Sequence, residues 1–104
     1  MHSISYSKQA EIDLENAIEH IAKTSTKNAV EYLLRYENKI ELLRLNPQMG
    51  TECINKLIKR DCRVLVNESH IIIYSISQRN NSLFIIRIYH SSVDYANTFN
   101  KENK

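Results

Sequence analysis

The chain has 104 residues, 42% apolar and 25% charged, with a formal charge of +2, one Gly, one Pro and two Cys. That length fits a single domain with one modest core, and so little Gly and Pro leaves no stretch for a flexible linker or low-complexity arm. The charge is far from that of a basic nucleic-acid-binding tail, no run approaches the ~18 apolar residues of a membrane span, and "MHSISYSKQAEID" lacks a signal peptide's apolar stretch. A cytoplasmic protein is expected.

In chain order, "HSISYS" is β-prone and ends at Ser7, a suitable N-cap for the helical pattern that follows. There Ala10, Leu14, Ala17, Ile18 and Ile21 mark one helix face, while Glu11, Asp13, Glu15 and Glu19 fall largely elsewhere. "KTSTKN" supplies Ser and Thr caps for a second helix with the stripe Ala29, Leu33, Tyr36, Ile40 and Leu43. The short connection predicts an antiparallel hairpin. In "LNPQMG", Pro47 keeps Asn46 out of the helical region and Gly50 is a permissive turn residue, so the second helix ends there.

Downstream the apolar period switches to two. "KRDCRVLV" alternates around Cys62, Val64 and Val66, whereas "HIIIYSIS" and "SLFIIRIY" are β-branched and aromatic runs joined by residues 78–82, which reads as a hairpin. Their near-continuous apolar character suits central strands covered on both faces. The expected fold is α+β, in the order β-α-α-β-β-β over residues 1–104, with a helical hairpin packed on one face of a mainly antiparallel sheet. A short final helix is expected from a Ser92 cap, with Val93, Ala96 and Phe99 on one side, before "NKENK" frays.

Cys53 and Cys62, in a chain without a secretion signal, are expected as reduced thiols rather than a disulfide or metal pair. His2, His20, His70 and His90 lack the paired spacing of a zinc site, so neither metal nor cofactor is expected. "NKLIKRDCR" gathers Lys56, Lys59, Arg60 and Arg63 against one acidic residue, Asp61. That set is either a solvated face or a contact for an acidic partner.

"IIRIYHSSVDY" sets Arg87, His90 and Asp94 where a strand should end. Metal-free RNA cleavage needs a base near the 2′-hydroxyl, a cation on the phosphate and an acid for the leaving oxygen. His90 could serve as acid or base, Arg63 and Arg87 as phosphate clamps, and Tyr74 or Tyr95 in stacking or proton transfer. Alternation counts against one shared centre, because it sets Arg87 with Ile85 and Tyr89 on one face and His90 with Ile86 and Ile88 on the other. Plainer roles also exist. His90 could be a half-buried, hydrogen-bonded side chain, Asp94 a cap for the last helix, and Arg87 the partner of a carboxylate on the first helix. Tyr32, Tyr36 and Tyr74 suit the core with their hydroxyls reaching the surface.

With this order of elements, "YSKQAEIDLENAIEHIA", "LLRLNPQMG", "RVLVNESHIIIYSI" and "IIRIYHSSVDY" together resemble the ParE/RelE family of bacterial toxins from type II toxin–antitoxin systems, over nearly the whole chain. The resemblance implies one scaffold with two targets. RelE-like members cut messenger RNA in the ribosomal A site with basic residues and a Tyr, His or Glu. ParE-like members bind DNA gyrase and trap its cleaved DNA intermediate. In both, a small antitoxin wraps and neutralises the toxin in a joint assembly.

Ribonuclease members commonly carry an arginine at the start of the strand that here reads "SHIIIYSI", where this chain has Ile71 and Ile72. The spacing of Arg87, His90 and Asp94 resembles a ParE-like ending instead. The resemblance therefore favours a gyrase-inhibiting toxin with no catalytic residue, whose partner-binding residues are Lys56, Lys59, Arg60, Arg63, Arg87, His90 and Asp94. The alternatives are a metal-independent, ribosome-dependent endoribonuclease using Arg63, Arg87, His90 and Tyr95, or an inactive relative kept for antitoxin binding.

Overall fold

Ser7 accepts the Ala10 N–H at 2.9 Å and starts helix α1 (Lys8–Thr24), as its place before the apolar period implied. A computed structural model describes residues 2–53, 58 and 61–102. Ser25 both ends α1 and caps helix α2 (Thr26–Leu45), accepting from Asn28 N–H at 3.1 Å. With one residue between them, the helices fold back as the expected hairpin. α2 buries Ala29, Tyr32, Tyr36, Ile40 and Leu43, and half-buried Leu14, Ile18 and Ile21 of α1 pack on the same cluster. α2 stops at Leu45, ahead of Pro47.

The sheet contains β1 (Ser3–Tyr6), β2 (Thr51–Glu52), β3 (Arg63–Asn67), β4 (His70–Ser77) and β5 (Ser82–His90), in the order β1-β5-β4-β3-β2. β1 runs parallel to β5, and the other neighbours are antiparallel. β2 was not expected, since two exposed residues carry no period. A final helix α3 (Tyr95–Glu102) packs by Phe99 on the face opposite the hairpin. Tyr36, Leu43, Leu65, Ile72, Tyr74 and Ile85 lie in the hairpin-side core, and Cys53, Val64, Ile73, Ile86 and Phe99 in the other. The central strands are therefore covered on both faces, as their apolar runs required.

A bulge breaks the alternation in β5. Ile73 lies opposite Arg87 but Tyr74 opposite Ile85, which leaves Ile86 as an extra residue. The phase slips there, so Ile85 and Ile88 face the hairpin while Ile86 and Tyr89 face α3. Arg87 keeps the company of Tyr89, with 4.6 Å from its guanidinium carbon to the ring centre, but not that of Ile85.

Three further expectations are corrected. Cys53 and Cys62 are joined in a disulfide, because the β2–β3 register, continued by one rung, sets them opposite each other with Cα atoms 5.2 Å apart. Ser92 does not cap α3. Asp94 does, its Oδ1 accepting from Asn97 N–H at 3.4 Å, while Ser92 serves His90 and Val93 stays exposed. The buried tyrosines also turn their hydroxyls inward: Tyr36 to Tyr6 at 2.8 Å, Tyr32 to His70 Nδ1 at 2.7 Å, and Tyr74 to the Pro47 carbonyl at 2.7 Å.

Candidate functional site

The polar end of β5 is built around Arg87. Its Nε donates to Asp13 Oδ2 at 2.8 Å and its Nη2 to Asp13 Oδ1 at 3.3 Å, while Nη1 pairs with Glu102. Asp13 Oδ2 also accepts the Ile88 N–H at 3.0 Å, and the Tyr89 hydroxyl donates to Glu102 at 3.2 Å. One guanidinium thus ties α1, β5 and α3 together, and the pairing with a carboxylate of the first helix is realised. Holding these bonds, Arg87 offers little to an incoming phosphate.

His90 sits on the other side of this strand end, exposed, and accepts the Ser92 N–H on Nδ1 at 3.1 Å, with Ser92 Oγ at 2.8 Å from the same nitrogen. The proton of the neutral ring therefore lies on Nε2. Its ring meets His70 edge-on at 5.3 Å between centres. Burial, and then the neighbouring His90, push the His70 pKa down, and burial raises that of Tyr32 to about 12. An open cleft of about 440 Å³ runs beside them, lined by Asp13, Asn16, His20, His70, His90 and Ser92. Among the described residues no group of three or more His, Cys, Asp and Glu side chains could hold a metal ion.

Arg63 lies two strands away on β3, turned to the preceding loop. Its Nη2 donates to the Gly50 carbonyl at 2.6 Å and the Gln48 carbonyl at 2.9 Å. The Tyr74 hydroxyl closes this loop, donating to Pro47 O and accepting from Gly50 N–H at 3.1 Å. A Cβ on Gly50 would stand 2.7 Å from that hydroxyl oxygen and 2.8 Å from the Val64 carbonyl, so the lone glycine permits a close approach. The sequence signal for this network was only a Pro and a Gly three residues apart.

The structure therefore brings Arg87 and His90 to one strand end but, among the described residues, gives them no shared hydrogen-bond partner. It holds Arg63 elsewhere, uses Asp94 as a cap and leaves Tyr95 half-buried against the α3-side core. Lys56, Lys59 and Arg60 lie outside the described residues.

A surface that the sequence reading missed runs along the outer side of α2. Val30, Leu34, Leu42 and Leu45 are 55%, 56%, 51% and 60% exposed, a second apolar stripe at helical spacing, where one face is ordinarily enough for a core. At its C-terminal end an open cleft of about 790 Å³ is lined by Leu42, Asn46, Pro47, Met49, Ile76 and Gln78. The signal was legible in "AVEYLLRYENKIELLRL", where leucines stand on more than one face of the helix. Among the described residues, no helix is long and apolar enough to cross a membrane.

The fold is shared with solved toxin–antitoxin structures. A chain of the chromosomal ParDE toxin–antitoxin system from P. aeruginosa is 16% identical, with a TM-score of 0.65, covering 86% of this chain and 96% of that one. A chain of the RelBE2 toxin–antitoxin complex from Mycobacterium tuberculosis (16% identity) and one of the intact E. coli RelBE toxin–antitoxin complex (14%) each give a TM-score of 0.54 at the same coverage of both chains. No curated protein matches in sequence. The sequence profile described as "ParE toxin of type II toxin-antitoxin system, parDE" matches residues 4–95, nearly the whole chain. By that match this chain belongs to the ParE toxin family of type II toxin–antitoxin systems, and it shares its fold with the ParDE and RelBE chains.

Proposed function

We propose that the protein is a gyrase-directed toxin, acting in the cytoplasm and neutralised by a cognate antitoxin, and that it has no catalytic centre of its own. The observation that carries this reading is the engagement of Arg87 by Asp13 and Glu102. Metal-free RNA cleavage needs a cation free to meet the phosphate as charge develops. Here Arg87 is held by carboxylates, Arg63 by the carbonyls of Gln48 and Gly50, and His90 makes its bonds to Ser92. The match to the ParE toxin family and the likeness to a ParDE chain support the same side.

The antitoxin surface in this reading is the apolar stripe of α2 with the cleft at its end. The fold neighbours come from toxin–antitoxin complexes, which supports such a partner. Lys56, Lys59 and Arg60 supply charged contacts to an acidic partner, and exposed His90 and Asp94 supply polar contacts.

The test uses purified toxin, purified gyrase, relaxed plasmid and ATP. Loss of supercoiling with accumulation of cleaved plasmid is expected. Undiminished supercoiling, together with messenger cleavage on toxin-treated ribosomes, replaces this reading with the ribonuclease one.

A further inference from the structure

Cys53 and Cys62 are the only cysteines of the chain, and their disulfide sits one rung beyond the β2–β3 ladder. Cys53 is 1% exposed and Cys62 4%, and both belong to the buried cluster on which α3 rests, with Val64, Ile73, Ile86 and Phe99. The loop before Cys53 has its own anchors, since Tyr74 holds Pro47 and Gly50 while Arg63 holds Gln48 and Gly50. From Cys53 to Cys62, the hydrogen bonds among described residues are Cys53 N–H to Cys62 O at 2.9 Å and Ile58 N–H to Cys53 O at 3.2 Å. The covalent bond joins the two ends of that segment, and buried Ile58 belongs to the same cluster as Phe99.

We propose that Cys53–Cys62 is a reversible thiol–disulfide site opened by a dithiol reductant, and that its state sets how firmly α3 is held on the sheet. One thiolate of the reductant attacks Sγ of Cys62, the more exposed of the two, breaking the S–S bond and releasing Cys53 as a thiolate. The second thiol of the reductant then displaces Cys62 from the mixed disulfide. The two cysteine sulfurs gain two electrons and two protons, and the dithiol leaves as its own disulfide. Because both cysteines are buried, exchange passes through local opening around the disulfide.

Opening the ring removes a constraint from one wall of the Phe99 seat. α3 then loosens, and with it Glu102, which holds Arg87 and the Tyr89 hydroxyl. Asp13 keeps the other side of Arg87 in place. The inference goes beyond the gyrase reading and stands or falls without it.

The test uses full-length oxidised protein without denaturant. Alkylation and intact mass are expected to find no free thiol before dithiothreitol, two after it, and none again after oxidised glutathione. Amide hydrogen exchange in residues 95–102 is expected to quicken about 10-fold on reduction, while β4 and β5 keep their protection. The double variant Cys53→Ala/Cys62→Ala should match the reduced protein and ignore dithiothreitol; if it does not fold, the reduced wild-type chain carries the comparison. Free thiols that persist in oxidised glutathione overturn the site, as does reduction that occurs only in denaturant. Reduction without faster exchange in residues 95–102 overturns its hold on α3.

Discussion

Asp13 receives Arg87 on both carboxylate oxygens while one of them also accepts the Ile88 amide, so a single helix residue fastens the end of β5. The two side chains are only 9% and 16% exposed, which makes the pair a largely desolvated one. Asp13→Ala leaves the Nε and Nη2 donors of Arg87 and the Ile88 amide without their acceptor, with only Glu102 still on Nη1, and should cost about 3 kcal/mol of unfolding free energy. Asp13→Asn retains an acceptor and should cost less. An unchanged denaturation midpoint for Asp13→Ala would remove the structural role given to Arg87.

The loop at Gly50 offers a test of crowding against hydrogen bonding. Gly50→Ala drives a methyl group against the Tyr74 hydroxyl and the Val64 carbonyl, and should destabilise by about 1–3 kcal/mol. Tyr74→Phe removes one obstacle and two hydrogen bonds, for about 1–2 kcal/mol. Because the Val64 carbonyl is backbone, the double variant should recover only part of the alanine penalty. Full recovery in thermal melts would show that the carbonyl gives way.

Stability should also depend on pH through His70. Its pKa in the fold lies below the ordinary 6.5, by burial and by the facing His90 ring, with His20 acting in the same sense and Glu68 opposing. Above pH 6.5 the ring is neutral in both folded and unfolded chains, and its share of stability is fully present. As pH falls through 6.5 the unfolded chain takes up the proton first, and stability declines until the folded pKa is passed. His70→Gln, which preserves a partner for Tyr32, should flatten the loss between pH 7.5 and 5.5 relative to wild type. Identical slopes in paired denaturant titrations would clear His70 of that role.

On the outer face of α2, Leu34→Glu and Leu42→Glu touch residues that are already more than half exposed. Each should leave the melting temperature within a few degrees of wild type, as surface changes generally do. Each should also weaken antitoxin binding by roughly 10- to 100-fold, the usual range when an apolar side chain buried at an interface is replaced by a charge. Calorimetric titration decides the matter, and unchanged affinity in both variants would move the antitoxin off this face.

Much of this fold was legible, and the reasons are local. Ser7, the α1 and α2 stripes, Pro47 and the two long isoleucine-rich runs act through periodicity and capping, which a sequence displays directly. Apart from the cap of α3, which falls on Asp94 in place of Ser92, and the overlooked outer stripe of α2, the failures depend on pairing across the chain. Cys53 meets Cys62 only once β2 and β3 are aligned, and β2 itself is two residues long. Ile85 and Ile86 exchange faces because β5 bulges against β4, a register event invisible to strict alternation. At the site, Arg87 and His90 were visible as residues, and a carboxylate partner for Arg87 was foreseen as one alternative. That the carboxylate is Asp13 and that Glu102 joins it depends on how both helices dock.

β1 lies parallel beside β5, with Ser3 opposite Ser82 and Tyr6 opposite Ile85. β1 is therefore made well before its partner and is among the last strands of the sheet to find its place. At ~5–20 residues per second of synthesis, it waits several seconds for β5. The helical hairpin needs only nearby contacts and assembles during that interval. A growing chain thus shows its α2 stripe well before the sheet closes, and translation itself sets the order in which the toxin's surfaces become available.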